Sequence, residues 1–192
     1  MHSEVDYDCH YEQRARKKVM KRIVITSLVT SFLLIGLVGL FLLVGFMQDP
    51  KFVGSSSEWI NAQPEEIWDY LTAVEDIPNR RREVVKIEIL KKDGFGNPIQ
   101  WKETPDMGGY MIFESEMYEK PKLWKVRLSD SSFKMLGTWT YELTPKNNGT
   151  LFEVTEESEI FNITVRGAYF LSGRDATLQK ELEMIRNRFS GR

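Results

Sequence analysis

Four glutamates, Glu153, Glu156, Glu157 and Glu159, form the densest acidic group in the sequence. On one extended segment Glu156 shares a face with Phe152 and Val154, while the other three point the opposite way. A carboxyl turned inward among apolar side chains has a raised pKa and can give or take a proton. Glu156 is therefore the candidate acid or base, and Glu153, Glu157 and Glu159 read as a solvated outer face. Two more acids, Glu114 and Glu116, alternate with Ser115 and Met117. If Ile112 faces inward so do both, and each then needs Arg127 or another cation to offset its desolvation. Tyr110, Tyr118 and Tyr141 could offer hydroxyls to a ligand, or simply satisfy them in a core. Arg80, Arg81 and Arg82 form a run able to grip an anionic headgroup or carboxylate at a cavity mouth. The same run also fits a solvated loop.

Composition removes other chemistries. The only cysteine is Cys9 and the only histidines are His2 and His10. Everything after residue 10 thus lacks a thiol nucleophile, a histidine base, a disulfide and a nitrogen- or sulfur-ligated zinc site. His2, Cys9 and His10 lie in a polar tail and are not read as a metal centre, so no metal and no cofactor is expected. From residue 48 onward there are 20 basic and 24 acidic side chains. A mildly acidic domain with scattered basic residues is a poor nucleic-acid binder, and no such partner is expected. A protein partner is left open.

The element that positions the rest is the run Ile23 to Met47, 25 residues without a charge, a proline or an amide. As a helix it reaches roughly 37 Å, beyond the ~30 Å hydrocarbon core of a bilayer. Its polar side chains, Thr26, Ser27, Thr30 and Ser31, can bond back to carbonyls one turn earlier. The run is longer than the apolar part of a signal peptide and lacks its small-residue cleavage site, so a retained transmembrane helix is expected. Arg14, Arg16, Lys17, Lys18, Lys21 and Arg22 precede it, whereas Lys51 alone follows closely. The positive-inside rule puts residues 1–22 in the cytoplasm as a basic tail and the carboxyl-terminal domain on the other side. The expected order is tail 1–22, membrane helix 23–47, linker 48–57 and one domain over 58–190. The lipid bilayer is the first partner this implies.

Within the domain, Glu58 to Asn61 ends a short strand, and Pro64 opens a helix with Glu65 and Glu66 in its first turn. A second short helical turn stops at Pro78. Six extended segments follow between Glu83 and Ile160, separated by turns such as Asp93-Gly94, Gly108-Gly109 and Pro145 to Gly149. Short connections imply an antiparallel meander. The carboxyl end changes period: Leu171, Leu178, Leu182, Ile185 and Phe189 form one stripe on a helix from about residue 165 to 188, with a kink or restart at Ser172-Gly173.

This order resembles the helix-grip superfamily that joins START lipid-transfer domains, polyketide cyclases and the birch-pollen allergen. The resemblance is carried by Asn61-Ala62-Gln63-Pro64-Glu65-Glu66-Ile67-Trp68 and by the late hairpin Gly137 to Pro145 with Gly149-Thr150, and it covers about residues 55–190. Where the superfamily commonly has an aromatic residue, this chain has Asn79-Arg80-Arg81-Arg82, suggesting a basic rim. The resemblance implies an α+β helix-grip fold: a curved seven-stranded antiparallel sheet wrapped around a long carboxyl-terminal helix, behind one transmembrane helix. It also implies a cavity for a hydrophobic or amphipathic small molecule, including lipid. The inward candidates are Ile87, Ile89, Trp101, Ile112, Trp124, Val126, Trp139, Tyr141, Phe152, Val154, Glu156, Leu178, Leu182 and Ile185, with Arg80, Arg81 and Arg82 at the rim. The same side chains could equally fill a core. Two other functions stay open: a cyclase- or dehydratase-like enzyme with an acid or base in the cavity, and a filled-core interaction module of the cell envelope.

Overall fold

The computed structural model describes the backbone of residues 3–190 and side chains from residue 16 onward. The grouping of His2, Cys9 and His10 lies outside the described residues. The chain divides into two compact units, Met1–Val44 and Gly45–Arg192. Helix α1 spans Ser3–Met47. From Arg16 to Met47 it is long and apolar enough to cross a membrane. Its side chains from residue 16 to 40 are exposed on every face, as expected of a helix that is apolar all round and has no amphipathic stripe.

The second unit is a single sheet with helices on its inner face. After β1 (Lys51–Ile60) come α2 (Pro64–Thr72), a 3-10 turn at Val74–Asp76 and α3 (Ile77–Arg80). The meander β2 (Val84–Lys92), β3 (Pro98–Pro105), β4 (Met111–Glu119), β5 (Leu123–Ser131), β6 (Met135–Lys146) and β7 (Gly149–Ile160) follows, then α4 (Ile163–Ser172) and α5 (Ala176–Phe189). The seven strands are ordered β1-β7-β6-β5-β4-β3-β2, each antiparallel to its neighbours. This is the expected α+β helix-grip architecture.

Helix α2 starts where its residues dictate. Pro64 has no N–H to leave unsatisfied at the first position, and the Gln63 N–H donates to Glu66 Oε2 at 3.1 Å. Ile67, Trp68 and Leu71 are then buried on one face. Trp68 meets Tyr118 edge-on at 4.9 Å. Helix α5 buries Leu178, Leu182, Ile185 and Phe189 in the same core. Each fully buried side chain of this size contributes about 1.5–3 kcal/mol.

Three expectations are corrected. The segment 48–57 is not a linker, because β1 begins at Lys51 and pairs with β7 without interruption from Lys51↔Glu159 to Ile60↔Thr150. It reads as polar because its inner face needs small residues: a Cβ at Gly54 would lie 2.6 Å from the Phe52 ring and 3.1 Å from Leu178 Cδ1. Only Gln48, Asp49 and Pro50 remain as connector. The terminal helix restarts at Gly173 as expected, giving α4 and α5, and the φ of +93° there favours a residue without Cβ; what is corrected is the place of Leu171. Leu171, expected on the buried stripe, therefore ends α4 with 74% of its surface exposed. On β4, Phe113 faces the core and Ile112 does not. The pairing of β4 with β5 slips between Ile112 and Phe113 and again between Ser115 and Met117. Alternation holds from Ile112 to Glu116, with Phe113 and Ser115 inward, and is lost at the second slip, where Glu116 and Met117 are both exposed before Tyr118 returns to the core. Glu114 and Glu116 consequently lie outside, both paired with Arg127, Glu116 at 2.8 Å from its Nε.

A stability contrast checks this packing. Trp68→Ala in the full-length chain should cost about 3–5 kcal/mol in chemical denaturation, whereas Leu171→Ala should stay within about 0.5 kcal/mol of wild type. Equal losses would mean that Leu171 belongs to the core.

Candidate functional site: a cavity between sheet and helices

A cavity of about 240 Å³ lies between the inner face of β3 to β6 and helices α4 and α5. Its wall is a row of rings set by the strand register, with Trp101↔Phe113, Trp124↔Tyr141 and Val126↔Trp139 directly opposite across the ladder. Trp101 stacks on Phe113 at 5.6 Å and on Trp124 at 5.9 Å, and Trp124 stacks on Tyr141 at 5.5 Å. Phe113 meets Trp139 at 6.0 Å with the planes steeply inclined. Such contacts stabilise aromatic pairs beyond simple burial and hold the wall rigid.

The polar residues gather at one end, where α3 gives way to β2. Arg81 Nη2 lies 3.2 Å from Glu103 Oε2, and the Trp101 indole N–H donates to Glu103 Oε1, also at 3.2 Å. Glu103 is buried, so both carboxylate oxygens are satisfied within the protein. Burial acts to lower the Arg81 pKa, but the facing carboxylates of Glu103 and Glu181 outweigh it and the guanidinium is held above its ordinary value. Arg80 donates to the Tyr70 and Ala73 carbonyls and lies over the Tyr70 ring at 4.5 Å. It thus ties α3 to the end of α2. Lys180 reaches Glu83 at 3.7 Å across the mouth.

These pairings leave two groups over. The Glu181 carboxyl on α5 and the Tyr141 hydroxyl on β6 line the cavity, and neither has a hydrogen-bond partner among the described residues. Burial raises the Glu181 pKa, Arg81 and Arg80 pull it down, and Glu103 and Glu83 push it up, with a net upward shift. Burial, reinforced by Glu181, holds the Tyr141 hydroxyl well above its usual range. The site can therefore receive an apolar or aromatic body on the rings and exchange a proton or hydrogen bond through Glu181.

The sequence-derived residues divide into four groups. Trp101, Trp124, Val126, Trp139 and Tyr141 line the cavity, as do Arg80 and Arg81, while Arg82 is exposed and does not. Phe152, Val154, Leu178, Leu182 and Ile185 are buried in the packed core instead. Ile87 and Ile89 are half-buried against that core, and Ile112 is turned away from it. Glu156 is buried but lies outside the cavity lining, on β7 directly opposite Trp139 of β6. Its Oε2, the Trp139 indole nitrogen and the Ser158 hydroxyl are all buried without hydrogen-bond partners. Burial raises the Glu156 pKa, and nearby Ser158, Trp139 and Arg174 restrain the shift.

Sequence reasoning passed over Glu103, Phe113, Tyr169 and Glu181. Glu103 was within reach, since it follows Trp101 by two residues on one strand and must share its face. Glu181 lies one turn beyond Leu178 on the buried side of α5, where a charged residue is easily read as solvated.

Comparison with known proteins gives a consistent picture. Residues 53–188 match the family described as polyketide cyclase / dehydrase and lipid transport. Among solved structures, a START superfamily protein from Mycobacterium smegmatis aligns with a TM-score of 0.60 at 15% identity, over 72% of this chain and 97% of that one. Ara h 8.0201 aligns with a TM-score of 0.57 at 10% identity, covering 74% and 99%. A point mutant of norcoclaurine synthase from Thalictrum flavum, in complex with a transition-state analogue, aligns with a TM-score of 0.54 at 14% identity, covering 72% and 94%. No curated protein matches the chain significantly. The similarity to the solved structures concerns the fold, and the match over residues 53–188 identifies the lineage: the chain belongs to the polyketide cyclase / dehydrase and lipid transport family.

Proposed function

We propose that this protein is held at a membrane by α1 and binds a compact hydrophobic or amphipathic molecule between the sheet and α5. The observation that carries the reading is the ring-lined cavity with the carboxyl of Glu181, a residue 9% exposed, on its lining beside Arg81 and in no hydrogen bond among the described residues. Stacked rings offer a flat apolar surface, and Glu181 with Tyr141 offers a polar group to one end of a ligand. The volume of about 240 Å³ is below the ~300–1,000 Å³ of typical drug-sized sites. That favours a small ring system or part of a single chain over an intact two-chain lipid. The basic residues before the apolar run favour a cytoplasmic tail and a domain on the opposite side.

A catalytic reading has one specific observation in its favour. Glu181 and Tyr141 are ionisable groups lining the cavity that no hydrogen bond among the described residues occupies, as an acid–base step on a bound ring would require. In that reading Glu181, rather than Glu156, is the acid that reaches the substrate.

Three measurements test these statements. Met184 lines the cavity and is only half-buried, so Met184→Trp should obstruct the site with little loss of stability. Titration of the full-length protein with a fluorescent amphipathic probe should then show affinity weakened at least ~10-fold, a cost of about 1.4 kcal/mol. Unchanged affinity would place the ligand elsewhere.

Glu181→Gln tests the buried carboxyl through pH. A raised native pKa means that the folded protein keeps a proton that the unfolded chain releases. The stability from this group is thus complete at low pH and falls as pH rises through the window between the ordinary and the raised value. The variant lacks that loss, so its melting temperature relative to wild type should be higher at about pH 8 than at about pH 4. A difference independent of pH would mean that Glu181 is ionised alike in both states.

For the anchor, the full chain should stay in the membrane pellet after an alkaline carbonate wash. A reporter fused after Arg192 should be active only outside the cytoplasm. Release by carbonate would remove the spanning helix, and a cytoplasmic reporter signal would reverse the orientation.

A further inference from the structure

The last turn of α1 belongs to the same compact unit as the domain and is packed against α4. A Cβ at Gly45 would lie 2.2 Å from the Ile163 carbonyl oxygen and 3.0 Å from the Gly167 nitrogen, so the two backbones meet where neither glycine carries a side chain. The connector is fastened to the same region. Arg166 donates to the Gln48 carbonyl at 2.9 Å, and Arg174 donates to the Asp49 and Lys51 carbonyls at 2.8 Å each. Two arginines thus direct their hydrogen bonds to two carbonyls of the connector and to that of the first residue of β1.

Around this junction the surface is apolar. Phe161, Ile163, Phe170 and Leu171 are exposed on and beside α4, as are Phe46 and Met47 at the end of α1. Ile163, Phe170 and Leu171 fall within roughly 100° of one another on a helix of 3.6 residues per turn, with Gly167 between them. No acidic residue occurs from Phe161 to Arg174. The opposite side of α4 carries Val165 and Tyr169, packed against the core. Inward packing and the contact of Gly45 with Gly167 therefore leave the side chains of Ile163, Phe170 and Leu171 exposed on the outer arc around the end of α1.

Length supplies the occupant of that arc. About 20 helical residues cross the hydrocarbon core. A span starting at Ile23 is complete near residue 42, and Gly45 to Met47 then emerge at the headgroup level. We propose that α4 is an interfacial helix: its outer arc, Phe161, Ile163, Phe170 and Leu171, inserts into the boundary between headgroups and acyl chains beside the exit of α1. The surface it recognises is the lipid bilayer itself. Helices of this kind bury their apolar face roughly 5–10 Å into that boundary. The proposal rests on the reading that α1 spans the membrane, and its test separates the two.

The test is spin-label depth measurement on the full-length chain in lipid nanodiscs. Cys9→Ser removes the only native cysteine, and single cysteines are then introduced as Leu171→Cys, Phe170→Cys, Gly36→Cys on α1 and Phe95→Cys. Phe95, in the turn between β2 and β3, is 95% exposed and reports the aqueous value. At Gly36 an added Cβ would have nothing within 4 Å, so a label there is unobstructed and reports the bilayer interior. The expected result at Leu171 and Phe170 is a ratio of oxygen to water-soluble nickel accessibility several-fold above Phe95 and below Gly36. Aqueous values at both positions, with Gly36 deep in the bilayer, would overturn the placement of α4 and leave the span intact. Shielding from both reagents would overturn it in favour of contact with a protein. An aqueous value at Gly36 would remove the span and the interfacial helix together.

Discussion

The pairing of β1 with β7 is the constraint on which the domain depends. Every other neighbouring pair in the sheet is joined by a short connection, whereas this one brings together segments about a hundred residues apart, as the bond of 2.8 Å from Ser55 to Glu153 illustrates. Closing so long a loop has an entropic cost, and the uninterrupted ten-residue register offsets it. The closure also brings the two ends of the domain's sequence signature into contact. The buried Thr150 hydroxyl donates to the Ala62 carbonyl at 2.8 Å, which fixes the start of α2 against the start of β7. On the inner face, Gly54 lets Leu178 approach, and Arg186 grips Glu58 with bonds of 2.7 and 2.6 Å. Helix α5 therefore takes its position over the sheet from β1, and the cavity takes its depth from α5.

The buried ionic group at the mouth follows a different logic. An ion pair such as Arg81 with Glu103 carries a heavy desolvation cost, and apolar side chains of similar volume would be at least as stabilising. Position is what the arrangement secures. Glu103 is held from one side by Arg81 and from its own strand by Trp101, so the ring wall and the polar end share a common anchor. The unpartnered Glu181 carboxyl opposite is then the group left able to respond to an occupant.

Much of this was legible from residue order because alternation is reliable where strands are regular. Trp124 with Val126, Trp139 with Tyr141, and Phe152 with Val154 all face inward, and Glu156 lies on the side that parity assigns it. The strand β1 was not legible over its middle, since Gly54 and Ser56 on its inner face and Ser55 and Ser57 on its outer face together resemble a flexible connector. The register of β4 was hidden by two irregularities that no local composition announces. Separating cavity from core was beyond periodicity altogether. Phe152 and Trp124 share the inner face, and only the distance from α4 and α5 to each strand decides which of them packs and which lines a space.

The sheet is open, and its two margins are unequal. Along β2 the outward Lys86, Lys91 and Lys92 coincide with three slips in the pairing to β3. Charge and irregularity together make that margin a poor template for a strand from another molecule. The opposite margin, β1, pairs without a slip over ten residues and carries only Ser55 and Ser57 between Val53 and Trp59 on its outer side. The unpaired edge of β1 thus lacks the slips and the lysines that deter strand addition at β2, and its amino-terminal end is the part held by Arg166 and Arg174 through the Gln48, Asp49 and Lys51 carbonyls.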